Sequence, residues 1–217
     1  MKPQDRLPPF EQLETLRSEL ESDFAGGIEQ RRRNKQKRID EILEMLIMAY
    51  MFGNEAGNYM LSSATETIQT VADQTVEEST EVERTVDIEV DAMNDAIYRR
   101  IADKTWEQRV SEYMDADNGT VDEIVRVADT DLNRVYNDSI LDVGERADGP
   151  VMKTWETMMD DRVRDTHDYL QSTTIPVDRR FYTFDGDSAR YPGDFTLPQN
   201  NVNCRCRISL SLAHTSL

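Results

Sequence analysis

Apolar residues recur every three or four positions along much of the chain, which is the spacing of an amphipathic helix. A first segment of this kind covers residues 10–24 and stops at the Gly26-Gly27 pair. The clearest segment covers residues 121–143, where nine apolar side chains follow one helical face before Gly144. The pattern therefore predicts two well-defined helices, the second of them closed by Gly144 and the Gly-Pro pair that follows it.

Another helix is predicted where a run of cations at 31–38 leads into an apolar face that begins at Ile39. Six of the eight residues in the run are basic: Arg31, Arg32, Arg33, Lys35, Lys37 and Arg38. One interpretation is a core helix with a solvated basic first turn. The other is a helix that docks on a partner while these cations contact nucleic acid. Cations at a helix N-terminus oppose the helix dipole, and a local cost of this kind favours the second interpretation.

The middle of the chain is strongly acidic. Residues 62–91 contain neither Gly nor Pro, and parts of the segment alternate apolar and polar positions as a strand does. Its composition favours a helix or partial disorder over a strand. Residues 90–114 again show helical spacing and predict one further helix, followed by a turn with a helix cap at 115–120.

The pattern changes after Pro150, where short elements replace long helices. They are predicted as strand 151–158, helix or turn 160–170, strand or hairpin 175–184, loop 185–201 and strand 203–212. Too few apolar residues lie in this region to build an independent core, and small modules of this kind often use a staple such as a metal ion.

These elements predict an α+β fold that is mostly α-helical, with a long helical N-terminal body and a small β-containing C-terminal module. We divide the chain into an N-terminal arm with the basic and amphipathic helices (1–60), an acidic helical body (61–149) and the β-containing module (150–217).

Charge narrows the classes of partner. The 217 residues carry a formal net charge of −18, so the general surface repels phosphate groups and any DNA contact needs a local basic patch. Residues 1–38 hold 9 basic and 7 acidic side chains, whereas the remainder holds 16 and 36. The longest apolar run, 45–52, is far shorter than the roughly 18 residues of a membrane span. We therefore expect a soluble protein made in a reducing cytoplasm, without a membrane partner.

Cys204 and Cys206 are the only cysteines, and a disulfide between residues so close would be strained. Side chains two positions apart lie on the same side of an extended strand, so both sulfurs could reach one ion. His167 would supply a third zinc ligand, and Asp160 or water a fourth. In the alternative interpretation the cysteines are small buried hydrophobes and His167 makes an ordinary hydrogen bond. Both interpretations stay open at this point.

Catalysis has less support. A Cys-His pair can act as nucleophile and base, but a Cys-x-Cys strand lacks the helix N-terminus that activates a thiol. Carboxylates are so common in this chain that a pair of them does not distinguish an active site from a charged surface. The sequence also contains no phosphate-binding glycine loop. We predict that the chain is not an enzyme. A small Cys/His-dependent enzyme or toxin-like effector is the alternative, and a DNA-contacting module that uses the basic helix is a second one.

Five motifs follow one another between residues 128 and 208: ADTDLNRVYNDSILDVGE, MKTWETMMDDRVRDTHDYL, IPVDRRF, YPGD and NVNCRC. In this order they resemble the C-terminal domain of phage Mu F-like minor head proteins, the head morphogenesis or minor capsid family of tailed phages. The side chains that carry the resemblance are Trp155, Asp160, Val163, Arg164, His167, Pro176, Phe181, Pro192, Gly193, Asn203, Cys204, Arg205 and Cys206.

The resemblance implies a structural virion protein that acts in head assembly, DNA packaging or genome delivery. It implies a location in the capsid interior at the portal vertex, after assembly in the host cytoplasm. The implied partners are the portal protein ring, with multiple copies of the chain around it, the major capsid protein and packaged DNA.

The sequence also departs from the pattern of the family. Some members have Cys-x-x-Cys where this chain has Arg164-x-x-His167, and some have histidine where Asn201 stands. Those versions resemble complete zinc sites. Here the resemblance implies either a zinc site of His167, Cys204 and Cys206 completed by Asp160, or a cluster in which hydrogen bonds replace the metal.

Overall fold

Two helices form the N-terminal part of the computed structural model, which describes residues 8–72 and 90–213. Helix α1 covers Pro8–Ala25 and helix α2 covers Ile28–Ala72. The predicted end of α1 is confirmed, because Gly27 adopts a left-handed backbone with φ of +80° that glycine tolerates best. The 45 residues of α2 span about 68 Å at 1.5 Å per residue, and the basic run lies in its first three turns.

The acidic middle segment is described only at its two ends. Residues 62–72 complete α2 and residues 90–91 begin helix α3, so both ends are helical as expected. The rest of the predicted helix or partly disordered segment, residues 73–89, lies outside the described residues.

The single helix predicted over residues 90–114 is wrong, because the structure has two. Helix α3 covers Val90–Tyr98 and helix α4 covers Trp106–Asp115. A tight turn separates them, in which Ala102 and Asp103 have φ of 51° and 64°. Neither residue is a glycine, so the sequence gives no warning of this turn. Helix α4 then restarts at a capping box between Thr105 and Gln108.

Helix α5, Val121–Arg146, lies at the centre of the molecule. It begins at a capping box of Thr120 and Glu123, as the turn signal predicts. Gly144 does not end the helix, contrary to expectation. A Cβ atom there would lie 3.0–3.2 Å from methyl groups of Val177 and Leu210, so Gly144 instead allows the sheet to approach the helix.

The C-terminal module consists of short elements packed on α5. They are β1 Val151–Glu156, α6 Asp165–Asp168, β2 Thr174–Pro176, β3 Phe181–Tyr182, β4 Ser188–Ala189, α7 Pro198–Asn201 and β5 Arg207–Leu212. An antiparallel sheet has the order β2-β1-β5, with Trp155 opposite Ile208, and β3 pairs separately with β4.

Three predicted elements of this module differ from the structure. The expected strand or hairpin at 175–184 divides between the two sheets, and the expected loop at 185–201 contains β4 and α7. The last strand begins at Arg207 instead of residue 203, because Asn203 has a left-handed φ of 55° that breaks the extended backbone. Both cysteines therefore precede β5.

One connected cluster of buried apolar side chains extends from α1 to β5. Helices α2 and α5 approach closely at Gly53, where a Cβ atom would lie 2.4 Å from the carbonyl oxygen of Tyr136. The first helix also meets the last strand, because the Arg207 guanidinium lies 5.8 Å from the ring centre of Phe10 and 4.8 Å from that of Tyr136. The expected α+β fold with mostly helical content is confirmed.

Among the described residues, every helix is too short or too polar to serve as a membrane span.

Candidate metal centre

The three strongest candidate ligands come together from two separate segments. His167 lies in the one-turn helix α6, whose first backbone bonds run to the carbonyl oxygen of Arg164. Cys204 and Cys206 lie in the segment before β5, which the left-handed residue Asn203 turns toward α6. The spacing of the cysteines therefore does bring both thiols to one side, although they do not belong to a regular strand.

The ligand atoms are close and buried. The Nδ1 atom of His167 lies 3.5 Å from the sulfur of Cys204 and 3.5 Å from that of Cys206. All three atoms lie within 4.8 Å of one another. The three residues are at most 3% exposed, so water reaches the cluster poorly.

This geometry fits zinc. Bonds of about 2.3 Å to sulfur and about 2.0–2.1 Å to nitrogen at tetrahedral angles separate the two ligand atoms by about 3.5 Å. The His167 to cysteine separations agree with this value. Two thiolates and a neutral imidazole are also a donor set that zinc prefers. The residues present would therefore hold zinc through three protein ligands.

The pKa values of the two thiols shift in opposite directions. The pKa of Cys204 is held well below its usual value, because Cys206 donates to its sulfur and His167 adds a further bond, which together outweigh burial. The pKa of Cys206 is raised by that same interaction with Cys204 and by burial. A cation bound between the two sulfurs would favour the thiolate form of both.

Aromatic rings enclose the imidazole of His167. Phe195 stacks on it with ring centres 5.1 Å apart and a tilt of 21°, while Trp155 meets it edge-on at 5.6 Å. Within the described part of the chain, the Nε2 atom of His167 has no hydrogen-bond partner. The ring is therefore oriented by packing, with Nδ1 directed to the sulfurs.

Asp160 does not join the cluster. Its carboxylate oxygens accept two hydrogen bonds from Arg205, at 2.6 and 2.8 Å. This pairing holds the pKa of Asp160 well below its usual range. The structure thus gives Asp160 a different partner from the one expected for a fourth zinc ligand.

The other motif residues surround the cluster. Arg164 donates to the carbonyl oxygen of Val202, and the backbone N–H of Asn203 donates to the hydroxyl of Thr130 on α5. A cleft of about 10 Å³, roughly the space of one water molecule, borders His167 and Cys206. Its remaining walls come from Met158, Arg162, Val163, Arg164, Asn203 and Arg205.

Asn201 acts at a distance from the sulfurs. Its side chain accepts a hydrogen bond from the backbone N–H of Phe195 at 2.9 Å and donates to the carbonyl oxygen of the same residue at 2.6 Å. Because Phe195 stacks on His167, Asn201 positions a wall of the cluster.

Two residues that support the cluster were missed from the sequence. Asn133 and Asn137 of α5 each donate to the carbonyl oxygen of Cys206 at 3.2 Å, and Asn137 accepts from the N–H of Ile208 at 3.0 Å. The signal was present, because two asparagines four residues apart interrupt the buried face of a helix and need polar partners there.

The basic run of α2 lies elsewhere and is largely engaged within the molecule. Arg38 is buried and pairs with Asp23 at 2.6 Å, with Glu41 at 2.7 Å and with Glu19. Arg31 is also buried, where it donates to the carbonyl oxygen of Ala116 and stacks over a phenylalanine ring.

The remaining four cations of the run are more accessible. Arg32 and Lys35 contact Asp115, at 4.0 and 2.8 Å, and Lys37 contacts Glu41 at 3.4 Å. Arg33 is exposed, and among the described residues no carboxylate pairs with it. The structure therefore leaves a smaller cationic surface than the sequence suggests for contact with DNA, which stays a prediction.

Comparison with known families supports the resemblance. A family model described as Phage Mu protein F like protein matches residues 87–209, which include the three candidate ligands and all the motif residues around them. The resemblance inferred from the motifs is thereby confirmed. The basic run lies outside the matched region. No curated protein and no solved structure matches the chain.

Proposed function

The chain belongs to the Phage Mu protein F like family of phage head proteins, and we propose that it is a structural minor head protein bound to the portal ring of a tailed phage. In this role several copies surround the portal on the inside of the capsid. There they act in head assembly, in DNA packaging or in genome delivery.

The observation that carries a structural role is the burial of the Cys-His cluster. A nucleophilic thiol must meet its substrate, yet Cys204 and Cys206 are each only 3% exposed. The cluster instead joins helix α6, which carries His167, to the segment before β5, which carries both cysteines. A buried Cys-His cluster that connects two segments is better placed to stabilise the fold than to react with a substrate.

We further propose that the cluster binds zinc as a staple of the C-terminal module. His167, Cys204 and Cys206 would hold the ion, and the bound zinc would supply Lewis acidity that keeps both thiols ionised. The protein side chains fix the positions of the ligands: Phe195 and Trp155 orient the imidazole, while Asn133 and Asn137 anchor the backbone at Cys206.

The charge of the molecule is consistent with a place beside packaged DNA. A net charge of −18 repels phosphates, so a genome that moves past the protein would not adhere to most of its surface. The cations of α2 are mainly engaged by carboxylates of the same molecule, which lowers the tendency of that helix to hold DNA.

The test of the portal proposal is a reconstruction of the portal vertex from purified heads, without imposed symmetry, combined with mass spectrometry of the same particles. We expect density for this helical body in contact with the portal ring, and a copy number far below that of the major capsid protein. Absence of the chain from purified heads, or its even distribution over the capsid shell, would overturn the proposal.

A further inference from the structure

Three aromatic side chains lie on the surface of the C-terminal module and take no part in the metal centre. Tyr169, Tyr182 and Phe184 are 65%, 67% and 63% exposed. The rings of Tyr169 and Phe184 meet edge-on, with centres 6.0 Å apart. We call these three residues the aromatic patch. At about 150–250 Å² for each large aromatic side chain, the exposed part amounts to about 400 Å², a size that often marks an interaction site.

The local backbone explains why these rings face outward. Residues 181–184 alternate in burial, so Phe181 and Thr183 face the core while Tyr182 and Phe184 share the outer face. Tyr169 directly follows α6 and lies beside the buried Leu170. Large apolar side chains on the outer face of so short a hairpin do not contribute to its core.

The turn that carries Phe184 is held firmly. The backbone N–H of Thr183 donates to the carbonyl oxygen of Asp187 at 3.0 Å, and Gly186 permits the turn with a φ of +86°. The carboxylate of Asp185 accepts hydrogen bonds from the Thr183 hydroxyl and from Asn200. A rigid display of this kind lowers the entropy that a partner must overcome on binding.

Carboxylates surround the patch. Asp168 precedes Tyr169, Asp165 lies one helical turn before it, and Asp185 follows Phe184; all three are exposed. None of the described lysines or arginines forms a salt bridge with any of the three. Negative charge without a cationic partner in the described part of the molecule therefore lies beside the rings, although Asp185 accepts hydrogen bonds from Thr183 and Asn200.

We propose that the aromatic patch is the docking site for a segment of another head protein that carries arginine or lysine beside apolar side chains. The apolar groups would cover the rings, the cations would lie over ring faces, and the acidic frame would attract them. Single-stranded nucleic acid also stacks on aromatic rings, but the acidic frame disfavours its phosphates. That the partner is a head protein rests on the proposed function. That it carries cationic and apolar side chains rests only on the aromatic patch and its carboxylates.

The experiment introduces the photo-crosslinking amino acid p-benzoylphenylalanine at position 169 or 184. Position 59 serves as the matched control, because Tyr59 is also an aromatic residue, 71% exposed, and lies away on α2. Lysates of producing cells and purified heads are both irradiated, and the crosslinked peptides are identified by mass spectrometry. The substituted side chains are exposed, so the fold should tolerate each change.

We expect positions 169 and 184 to crosslink to one segment of a single protein, rich in arginine or lysine, at least tenfold more efficiently than position 59. Asp168→Lys should lower this yield about tenfold, whereas Glu55→Lys on α2 should leave it unchanged. No crosslink in either sample, equal yield from position 59, or crosslinks to DNA, to an acidic segment or to a second copy of this chain would overturn the proposal.

The two samples also separate this proposal from the proposed function. A specific, charge-sensitive crosslink in lysates, together with absence of the chain from purified heads, would support the docking site and refute the head location. The reverse result, chain in heads without any crosslink from the patch, would refute the docking site alone.

Discussion

At the scale of single residues, the make-up of the candidate metal centre depends on which cation each carboxylate pairs with. Asp160 is close in sequence to α6 and is a common zinc ligand type, but Arg205 stands between the two cysteines and pairs with it. The guanidinium thus removes one possible ligand and leaves a cluster of one imidazole and two thiols.

Cysteine and aspartate variants test this assignment. Cys206→Ser should lower zinc affinity more than about 100-fold, since it removes a ligand itself, whereas loss of a supporting group costs about 10–100-fold. Asp160→Asn should keep about one zinc per chain, because its side chain pairs with Arg205 and not with the ion. Metal content after dialysis against a weak chelator, measured by plasma mass spectrometry, checks both results.

Thiol reactivity gives the matching control. In the native protein both cysteines should resist iodoacetamide and become reactive after a strong chelator removes the ion, because burial alone protects them less than coordination does. Equal loss of zinc in Asp160→Asn and Cys206→Ser would contradict the assignment. A native thiol that alkylates at once would favour the enzyme alternative.

Lys153 gives a pH dependence. It is buried in β1, where burial foremost, and then the charge of Arg190, lowers its pKa from 10.5 to about 8. The folded protein therefore releases this proton at a lower pH than the unfolded chain does. Burying the charged ammonium lowers the free energy of unfolding, and this destabilisation is fully present below about pH 8. The free energy of unfolding therefore rises between about pH 8 and pH 10.5, by about 2 kcal/mol after allowance for solvent screening.

The variant Lys153→Met should lose this rise in stability. Urea unfolding at pH 7 and at pH 10 gives the difference in free energy of unfolding for each protein, and other lysines and tyrosines contribute equally to both. At pH 7 the two proteins should differ little, because the variant loses the hydrogen bond to Val177 but gains an apolar core residue. An identical pH dependence in both proteins would show that burial of the Lys153 ammonium does not destabilise the folded state.

At the scale of elements, α2 and α5 form the main helix pair, and glycine permits their close approach. Gly53 places its backbone against the carbonyl oxygen of Tyr136, and Gly57 lies against the side chain of Val143. Ser139 of α5 also donates to the carbonyl oxygen of Tyr50 at 2.6 Å, so the two helices are linked by a polar bond beside the glycines.

Gly53→Ala should therefore destabilise the protein by about 1–3 kcal/mol, because the added methyl group overlaps backbone of α5 and helices must move apart. Better helix propensity offsets part of this cost. Gly26→Ala is the matched control, since a methyl there meets only the flexible side chain of Gln30. Equal midpoints in urea unfolding for the two variants would contradict close packing at Gly53.

The basic run offers a second comparison between neighbouring positions. Burial raises the pKa of Asp23, but hydrogen bonds from Arg38 and Asn34 outweigh it and lower the pKa. Arg38→Gln would leave that carboxylate buried without its cation, which should cost about 3 kcal/mol or more. Arg33→Gln should change stability by less than about 0.5 kcal/mol.

The same pair of variants informs the DNA hypothesis. If the run contacts packaged DNA, Arg33→Gln should lower packaging or infectivity although its thermal midpoint is unchanged. A structural role alone predicts a phenotype only for Arg38→Gln. Thermal unfolding measured alongside phage titre separates the two effects.

Some of these elements could be predicted because their apolar spacing is unambiguous. Helices α1 and α5 and strand β1 follow from periodicity, and the meeting of Cys204 with Cys206 follows from their spacing. The break after α3 could not be predicted, because Ala102 and Asp103 adopt left-handed backbones without a glycine.

Other features depend on distant partners. Strands β3 and β4 contain two residues each, too few to show an alternation. Asp160 pairs with Arg205 only when the β1–α6 connection meets the segment before β5. Asn133 and Asn137 serve as anchors only when α5 meets that same segment at Cys206. The local sequence pattern does not encode such long-range contacts. The three ligands His167, Cys204 and Cys206 could therefore be predicted, but the pairing that removes Asp160 could not.

At the scale of the whole molecule, the apolar core is continuous from the helices into the C-terminal module. Trp106 of α4 and Trp155 of β1 are both fully buried in this cluster. The division into arm, body and module is a prediction about sequence regions, and the core suggests that they unfold together.

Two single-tryptophan variants test this cooperativity. Trp106→Phe leaves fluorescence from the module, and Trp155→Phe leaves fluorescence from the helical body. In each variant the thermal midpoint from fluorescence should agree with the midpoint from helical circular dichroism, within about 2 °C as a two-state transition requires. Separate midpoints within either variant would indicate that the module unfolds independently.

The contact between Phe10 and Arg207 has a consequence for synthesis of the protein. A ribosome adds about 5–20 residues per second, so roughly 10–40 s separate the appearance of these two side chains. During that interval the start of α1 lacks the guanidinium that covers its aromatic ring. The contact between the first helix and the last strand therefore forms only after translation has passed Arg207, so the start of α1 completes its packing late in synthesis.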